Sequence, residues 1–175
     1  MMRTIEMAQT GDKEEVLRLY KVQLGREFCP WNEYYPGMDT IEFDLSRDAL
    51  FVMREDGRIL AAFSIDLDEQ VEALEFWNKE LAPGGEISRL AVHPDFQNQG
   101  IARQMLQKAM KVLKERGYKS IHFLVNRTNQ KALRSYAALG FNTVGEVFMY
   151  NQPMLCYEKA LGEMNANVHR HGENG

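Results

Sequence analysis

One stretch constrains this chain more than any other: residues 86 to 117, where an alternating segment, a short glycine turn and a long amphipathic pattern succeed one another without interruption. Glu86-Ile-Ser-Arg-Leu-Ala-Val92 alternates well enough to be a strand, and Pro94 stops it by restricting the residue before it. Beyond the turn Gln97-Asn98-Gln99-Gly100-Ile101-Ala102, apolar residues recur at Ala102, Met105, Leu106, Ala109, Met110 and Leu113, the spacing of one helix face, and Gly117 ends the run. A strand that enters a tight turn and leaves as a helix aims several backbone N–H groups at one point, and such a point binds phosphate. Gly100 permits the turn, and small Ala102 leaves space beside it. Helix starts usually favour acids, yet this helix has none before Glu115 and places Arg103 near its positive end. An external anion explains that reversal. On the six residues alone, an ordinary glycine at a helix start is the alternative.

The rest of the chain alternates between strand and helix signals. Thr4 to Met7 reads as a strand, and Asp12 stands in a capping position before Val16, Leu17, Leu19, Tyr20 and Leu24 at helical spacing. Residues 29 to 37 hold two prolines and a glycine and form a loop, and a short helix follows from Thr40 to Arg47. Leu50–Arg54 and Ile59–Ile65 flank Asp56-Gly57, a hairpin signal. After Pro83-Gly84-Gly85 and the central stretch come a strand at Ile121–Val125 and a helix at Asn129–Leu139 ended by Gly140. Two closing strands follow, Phe141–Tyr150 and Met154–Leu161. The order is mixed α/β. Residues 1–161 are expected to form one domain, and 162–175, polar and aperiodic, a mobile tail.

Charge narrows the function. The net charge of −4 argues against a general nucleic-acid binder, and the basic helix carries no aromatics on which bases would stack. From Gln97 to Tyr136 nine basic residues face one acid, a balance suited to a polyanionic ligand. From Asp66 to Glu86 seven acids face Lys79 alone, which suits a cationic one. Solvated surface is the common alternative for either run. The longest clean apolar run, Ile59–Phe63, is far too short to span a bilayer, so no membrane role and a cytoplasmic location are expected. Cys29 and Cys156 stand far apart, and neither they nor His93, His122, His169 and His171 form a metal or nucleophile pattern. No metal is expected.

Gln97, Gly100 and Ala102 fit a signature of Gln or Arg, two residues, Gly, one residue, then Gly or Ala, and the chain from Thr4 to Leu161 resembles the GNAT superfamily of acyl-CoA-dependent N-acyltransferases. The resemblance implies a mixed, mostly antiparallel central sheet of about six to seven strands flanked by helices. It implies acetyl-CoA as co-substrate, its pyrophosphate held by the amides of residues 97–102 with Arg103 beside them, and its pantetheine arm paired with Leu90, Ala91 and Val92. Asn129 and Ala132 are implied as further cofactor contacts, although Asn129 also suits a helix cap. Tyr136, two turns on, is implied as the acid that protonates the departing thiolate, a task its high reference pKa permits. Glu86 matches a position where many members place a glutamate. It is the candidate base for an amine that must lose a proton before attack, with a solvated strand-end carboxylate as the alternative. The Leu90 amide is the candidate donor to the thioester oxygen. Trp31, Tyr34 and Tyr35 either line the acceptor pocket or form a satellite cluster. The expected acceptor is a small-molecule or peptide amine, cationic by reason of the acidic run, and a homodimer is compatible with the reading. The rival is a non-catalytic acyl-CoA-binding regulatory module, which needs neither Glu86 nor Tyr136.

Overall fold

The computed structural model describes residues 2–162, so the expected tail from residue 163 on, with His169 and His171, lies outside the described residues. The elements run β1 (Arg3–Met7), α1 (Lys13–Lys21), α2 (Met38–Ser46), β2 (Leu50–Glu55), β3 (Arg58–Asp66), α3 (Glu69–Glu72), β4 (Gly84–Val92), α4 (Ile101–Glu115), β5 (Ser120–Asn126), α5 (Gln130–Ala138), β6 (Asn142–Met149) and β7 (Gln152–Ala160). Seven strands form one sheet in the order β1-β2-β3-β4-β5-β7-β6, antiparallel throughout except at β4–β5. The mixed, mostly antiparallel sheet expected from the resemblance is what the chain forms.

Local chemistry explains the turns. Asp56 and Gly57 both take positive φ, 50° and 77°, which matches the twist of the β2–β3 hairpin. The β6–β7 turn falls at Tyr150 and Asn151, each at φ 58°, without a glycine. Strand β7 therefore begins at Gln152, two residues earlier than the pattern predicts, and Pro153 pairs with Phe148 inside it. Asp12 is the N-cap of α1, the position the sequence gives it, but its side chain makes no bond to the helix amides. Its carboxylate instead receives Arg54 at 3.0 Å and the Gln9 amide at 2.9 Å.

Helix α4 buries Met105, Leu106, Ala109 and Leu113 against one face of the sheet, with Phe63, Ile87, Ile121 and Phe123. The fit is close: a Cβ on Gly85 would lie 2.5 Å from a Leu113 methyl, so the Leu113 side chain packs directly onto the glycine. On the other face Val16, Leu19 and Tyr20 of α1 and Ile41 of α2 cover Val52, Ala62 and Ala91.

Two irregularities in β4 open the sheet. Opposite Phe63 the strand carries two residues, Arg89 and Leu90, and Arg89 adopts φ +50°, a bulge with a left-handed residue. Strand β4 also pairs with β5 only at Gly84↔Ser120, Gly85↔Ile121 and Glu86↔His122. Beyond Glu86 the two strands separate, and a cleft lies between them.

Candidate active site

The cleft has a volume of about 500 Å³ and runs between the splayed halves of β4 and β5. One end is formed by the glycine turn. Gly100 is the N-cap of α4 at φ +74°, and Asn98, two residues before it, is also left-handed at φ +62°. The first amide to bond within the helix is that of Gln104, to the Gly100 carbonyl. The amides ahead of it have no carbonyl of the helix to meet, and no acid occupies the first turn. The unpaired positive end that the sequence implies is present, with exposed Arg103 on its first turn.

The turn residues divide by role. Gln97 and Ala102 line the cleft. Asn98 instead receives Lys131 of α5, and Gln99 receives Arg3 of β1 at 2.6 Å, so these side chains brace the turn. Ile101 and Ala91 are buried in the two cores, which leaves only their backbone to a ligand. Leu90 and Val92 line the cleft on the strand edge that β5 leaves unpaired. Across from them Asn129 lines it as well, while its Oδ1 accepts from the Ala132 amide at 3.2 Å. The cap and the cleft position are thus one residue's two faces. Ala132 itself is engaged by that cap and packs toward the core, outside the cleft lining.

Tyr136 reaches the cleft from the last turn of α5, packed edge-on to Phe123 at 5.0 Å. Burial pushes its hydroxyl up to about 12, so it stays protonated at neutral pH. The chemistry of proton donation is open to it.

The other end of the cleft is acidic. Glu86 is 5% exposed, and its Oε1 has no hydrogen-bond partner. The solvated strand-end carboxylate is therefore excluded. Burial, then the charges of Asp66, Asp68 and Glu72, push Glu86 up to about 9, with Arg89 opposing. Arg89 lies beside it on the bulge, its guanidinium bonded to Asp44 at 2.9 Å, to Asp66 at 3.1 Å and to the Tyr35 hydroxyl at 3.1 Å. Burial alone would raise Asp66, but Arg89 and the Ser88 hydroxyl hold it below the usual carboxylate range. From the β6–β7 turn Tyr150 donates to Asp68 at 2.7 Å, and burial together with that bond raises its hydroxyl well above an ordinary phenol.

Of the three aromatics in the 29–37 loop, the structure separates what the sequence grouped. Tyr35 lines the cleft through its bond to Arg89, and Trp31 lines it while packing on Tyr20 at 5.3 Å. Tyr34 is 81% exposed and does not join them. Only three residues of the acidic run, Asp66, Asp68 and Glu86, line the cleft; Glu69, Glu75 and Glu80 are solvated. Sequence reasoning missed Arg89 and Tyr150. Arg89 looked like one more residue of an alternating strand, and Tyr150 was read as the last residue of a strand rather than as part of the turn that follows.

Cys156 is buried in β7, where burial pushes the thiol up to about 11, and it takes no part in the cleft. Among the described residues no group of His, Cys, Asp and Glu could hold a metal ion, and no helix is long and apolar enough to cross a membrane.

Set beside known proteins, this arrangement has a clear kinship. Residues 14–141 match the acetyltransferase (GNAT) family. The chain belongs to that family. It is 28% identical over 141 residues to the [ribosomal protein bS18]-alanine N-acetyltransferase of Escherichia coli strain K12, covering 81% of this chain and 82% of that one. An acetyltransferase from Pectobacterium atrosepticum is 32% identical over 143 residues, with 80% and 88% covered. The fold matches an acetyltransferase from Salmonella typhimurium solved with acetyl-CoA as its cofactor, at a TM-score of 0.71 and 18% identity over 92% of this chain and 95% of that one.

Proposed function

We propose that this acetyltransferase moves an acetyl group from acetyl-CoA directly to a primary amine, with the donor at the turn end of the cleft and the acceptor at the acidic end. The observation that carries the reading is the cleft itself. One end offers unpaired helix amides without a neighbouring acid, the other a buried carboxyl without a partner, and β4 runs between them. Acetyl-CoA supplies the thioester, and this chain's residues fit it along the whole cleft. The amides of residues 98–103 hold the pyrophosphate, assisted by Arg103, with Gln97, Ala102 and Asn129 shaping the site. The free edge of β4 at Leu90–Val92 receives the amide-bearing arm, as an added strand would. The Leu90 amide stabilises charge on the thioester oxygen during attack.

The amine arrives as an ammonium and must lose a proton before it attacks. Glu86 takes that proton. Its raised pKa means that it is itself protonated in the free protein, but a cation placed beside it favours the carboxylate, so acceptor binding and ionisation of Glu86 are coupled. Tyr136 gives its phenolic proton to the departing sulfur. The attacking lone pair forms the new N–C bond as the C–S bond breaks, the proton that the new amide nitrogen sheds returns through water to the Tyr136 phenolate, and no covalent acyl-enzyme is involved. Asp66 and Asp68 add negative charge where the ammonium enters, while Trp31 and Tyr35 border it. A peptide amine is the acceptor class favoured by the similarity to the bS18-alanine enzyme, and a small cationic amine fits the same charges.

Calorimetric titration with acetyl-CoA tests the donor end without an acceptor, and micromolar binding is the expected result. A thiol-release assay with a peptide bearing a free N-terminal alanine then tests transfer. Binding without transfer to any peptide or polyamine would favour the regulatory acyl-CoA-binding module instead.

A further inference from the structure

Beyond Glu86 the edge of β4 has lost its strand partner, and one side chain takes up part of that role. The His93 amide donates to the Leu60 carbonyl of β3, so the backbone groups of Ala91 and His93 face β3 and those of Val92 face the side that β5 has left. There the Val92 carbonyl accepts from Gln23 Nε2 at 3.0 Å. Gln23 lies just beyond α1, is 8% exposed, and lines the cleft. The same nitrogen donates to the Leu19 carbonyl at 3.2 Å, and Gln23 Oε1 accepts from Arg26 at 3.2 Å. Two carbonyls require the amide's NH2 and a guanidinium requires its oxygen, so the orientation of the side chain is fixed from both ends. Among the described residues that bond is the only one the Arg26 side chain makes.

The peptide joining Val92 to His93 is therefore gripped on both edges, by β3 through its N–H and by Gln23 through its oxygen. It is a planar unit, and held at both ends it does not rotate. This is the last peptide of β4 before Pro94 and the glycine turn, so the grip fixes how the open strand edge leads into the phosphate site. An amide-bearing arm laid along Leu90–Val92 has no side chains to lodge in pockets and is held by main-chain hydrogen bonds. We propose that Gln23, oriented by Arg26, is the positioning residue for the donor's arm: it closes the β4 edge at the Val92 carbonyl and leaves Leu90 and the Val92 amide to pair with the arm. The inference rests on the reading of the cleft as the acetyl-CoA site.

So placed, Gln23 acts on the arm and leaves the nucleotide alone, because the phosphates meet the helix amides beyond Pro94. It acts on binding rather than on proton transfer, since its side chain is bonded to neither Glu86 nor Tyr136.

The test is calorimetric titration of the full chain with two ligands, acetyl-CoA and adenosine 3′,5′-bisphosphate, the second carrying the nucleotide without the arm. Gln23→Leu, of similar volume but without a donor, should weaken acetyl-CoA about tenfold, through a lost hydrogen bond and a carbonyl left unpartnered, and leave the bisphosphate affinity unchanged. In turnover with an alanine-starting peptide the loss should fall on KM for acetyl-CoA, with kcat at saturation within about twofold of wild type. Arg26→Leu, at a half-buried side chain, should show the same selectivity at about threefold, and it carries the test if Gln23→Leu does not fold. Unchanged acetyl-CoA affinity in the variants overturns the role of Gln23 and leaves the donor site standing. Equal losses for both ligands also overturn it, since they mark a general defect of the fold. Failure of the wild-type chain to bind acetyl-CoA removes the donor reading and this inference together.

Discussion

The two ends of the cleft are built in opposite ways. The turn end is one continuous passage of chain, β4 through α5, in which each element positions the next and the groups turned to the cleft are mostly backbone. The acidic end draws single side chains from five places: the 29–37 loop, the end of β3, the loop after it, β4 with its bulge, and the β6–β7 turn. Arg89 holds several of these together through Asp44, Asp66 and Tyr35. A backbone site can be specified by a few adjacent residues and tolerates substitution around it. A site of dispersed side chains depends on a buried ion pair, which is expensive to break and easy to redirect. On the proposed reading, donor recognition falls to the backbone site and acceptor recognition to the dispersed one.

The largest effect should come from Gly100→Glu, which places a side chain at φ +74° and a negative charge on the helix amides. Acetyl-CoA binding should vanish from calorimetry while the thermal transition survives; retained binding would break the division between the two ends. Next, Asp44→Ala strands the Arg89 guanidinium, 6% exposed, without its main partner and should cost about 3–5 kcal/mol in urea unfolding. It should leave donor affinity of the folded fraction intact. Tyr136→Phe should lower kcat about 100-fold at nearly unchanged acetyl-CoA affinity, because it removes a proton donor but little packing.

A smaller and more diagnostic effect is expected from Glu86→Gln on stability. The folded-state pKa is raised from 4.5 to about 9, so the contribution of Glu86 is fully present below pH 4.5 and is lost as pH rises through about 9. Glutamine cannot ionise, and Tm of the variant should exceed wild type by more at alkaline than at acidic pH. Equal differences at both would mean that Glu86 is not held protonated. The smallest effect belongs to Tyr34→Ala, which should change neither kcat nor KM by more than about twofold, as befits an exposed side chain outside the cleft. A large change would extend the acidic end beyond the residues assigned to it.

The sequence was legible where function depends on neighbours in the chain. The alternation of 86–92, Pro94, the turn and the α4 periodicity placed four successive features correctly, because strand period, proline sterics and helix period are local properties. Asn129 and Tyr136 come to the same cleft for the same reason, one at the N-cap and the other in the last turn of one short helix. What was not legible was where a distant group won a side chain's hydrogen bond. Asp12 has the chemistry of a cap but is taken by Arg54, forty-two residues away, and Tyr34 and Tyr35 differ in fate only because Arg89 lies within reach of one.

What this chain's sequence determined by itself was the strand–turn–helix that leaves helix amides unpaired, together with the alternation that lays out a sheet. These arise from backbone geometry and nearest neighbours. Only the tertiary structure decided that β4 and β5 part after Glu86, that Arg89 bulges inward to bind Asp44, and that Glu86 is buried beside His122 without a partner. Strand register and burial come from contacts between residues far apart in the chain, and ionisation of a carboxyl depends on which charges and how little water those contacts bring to it.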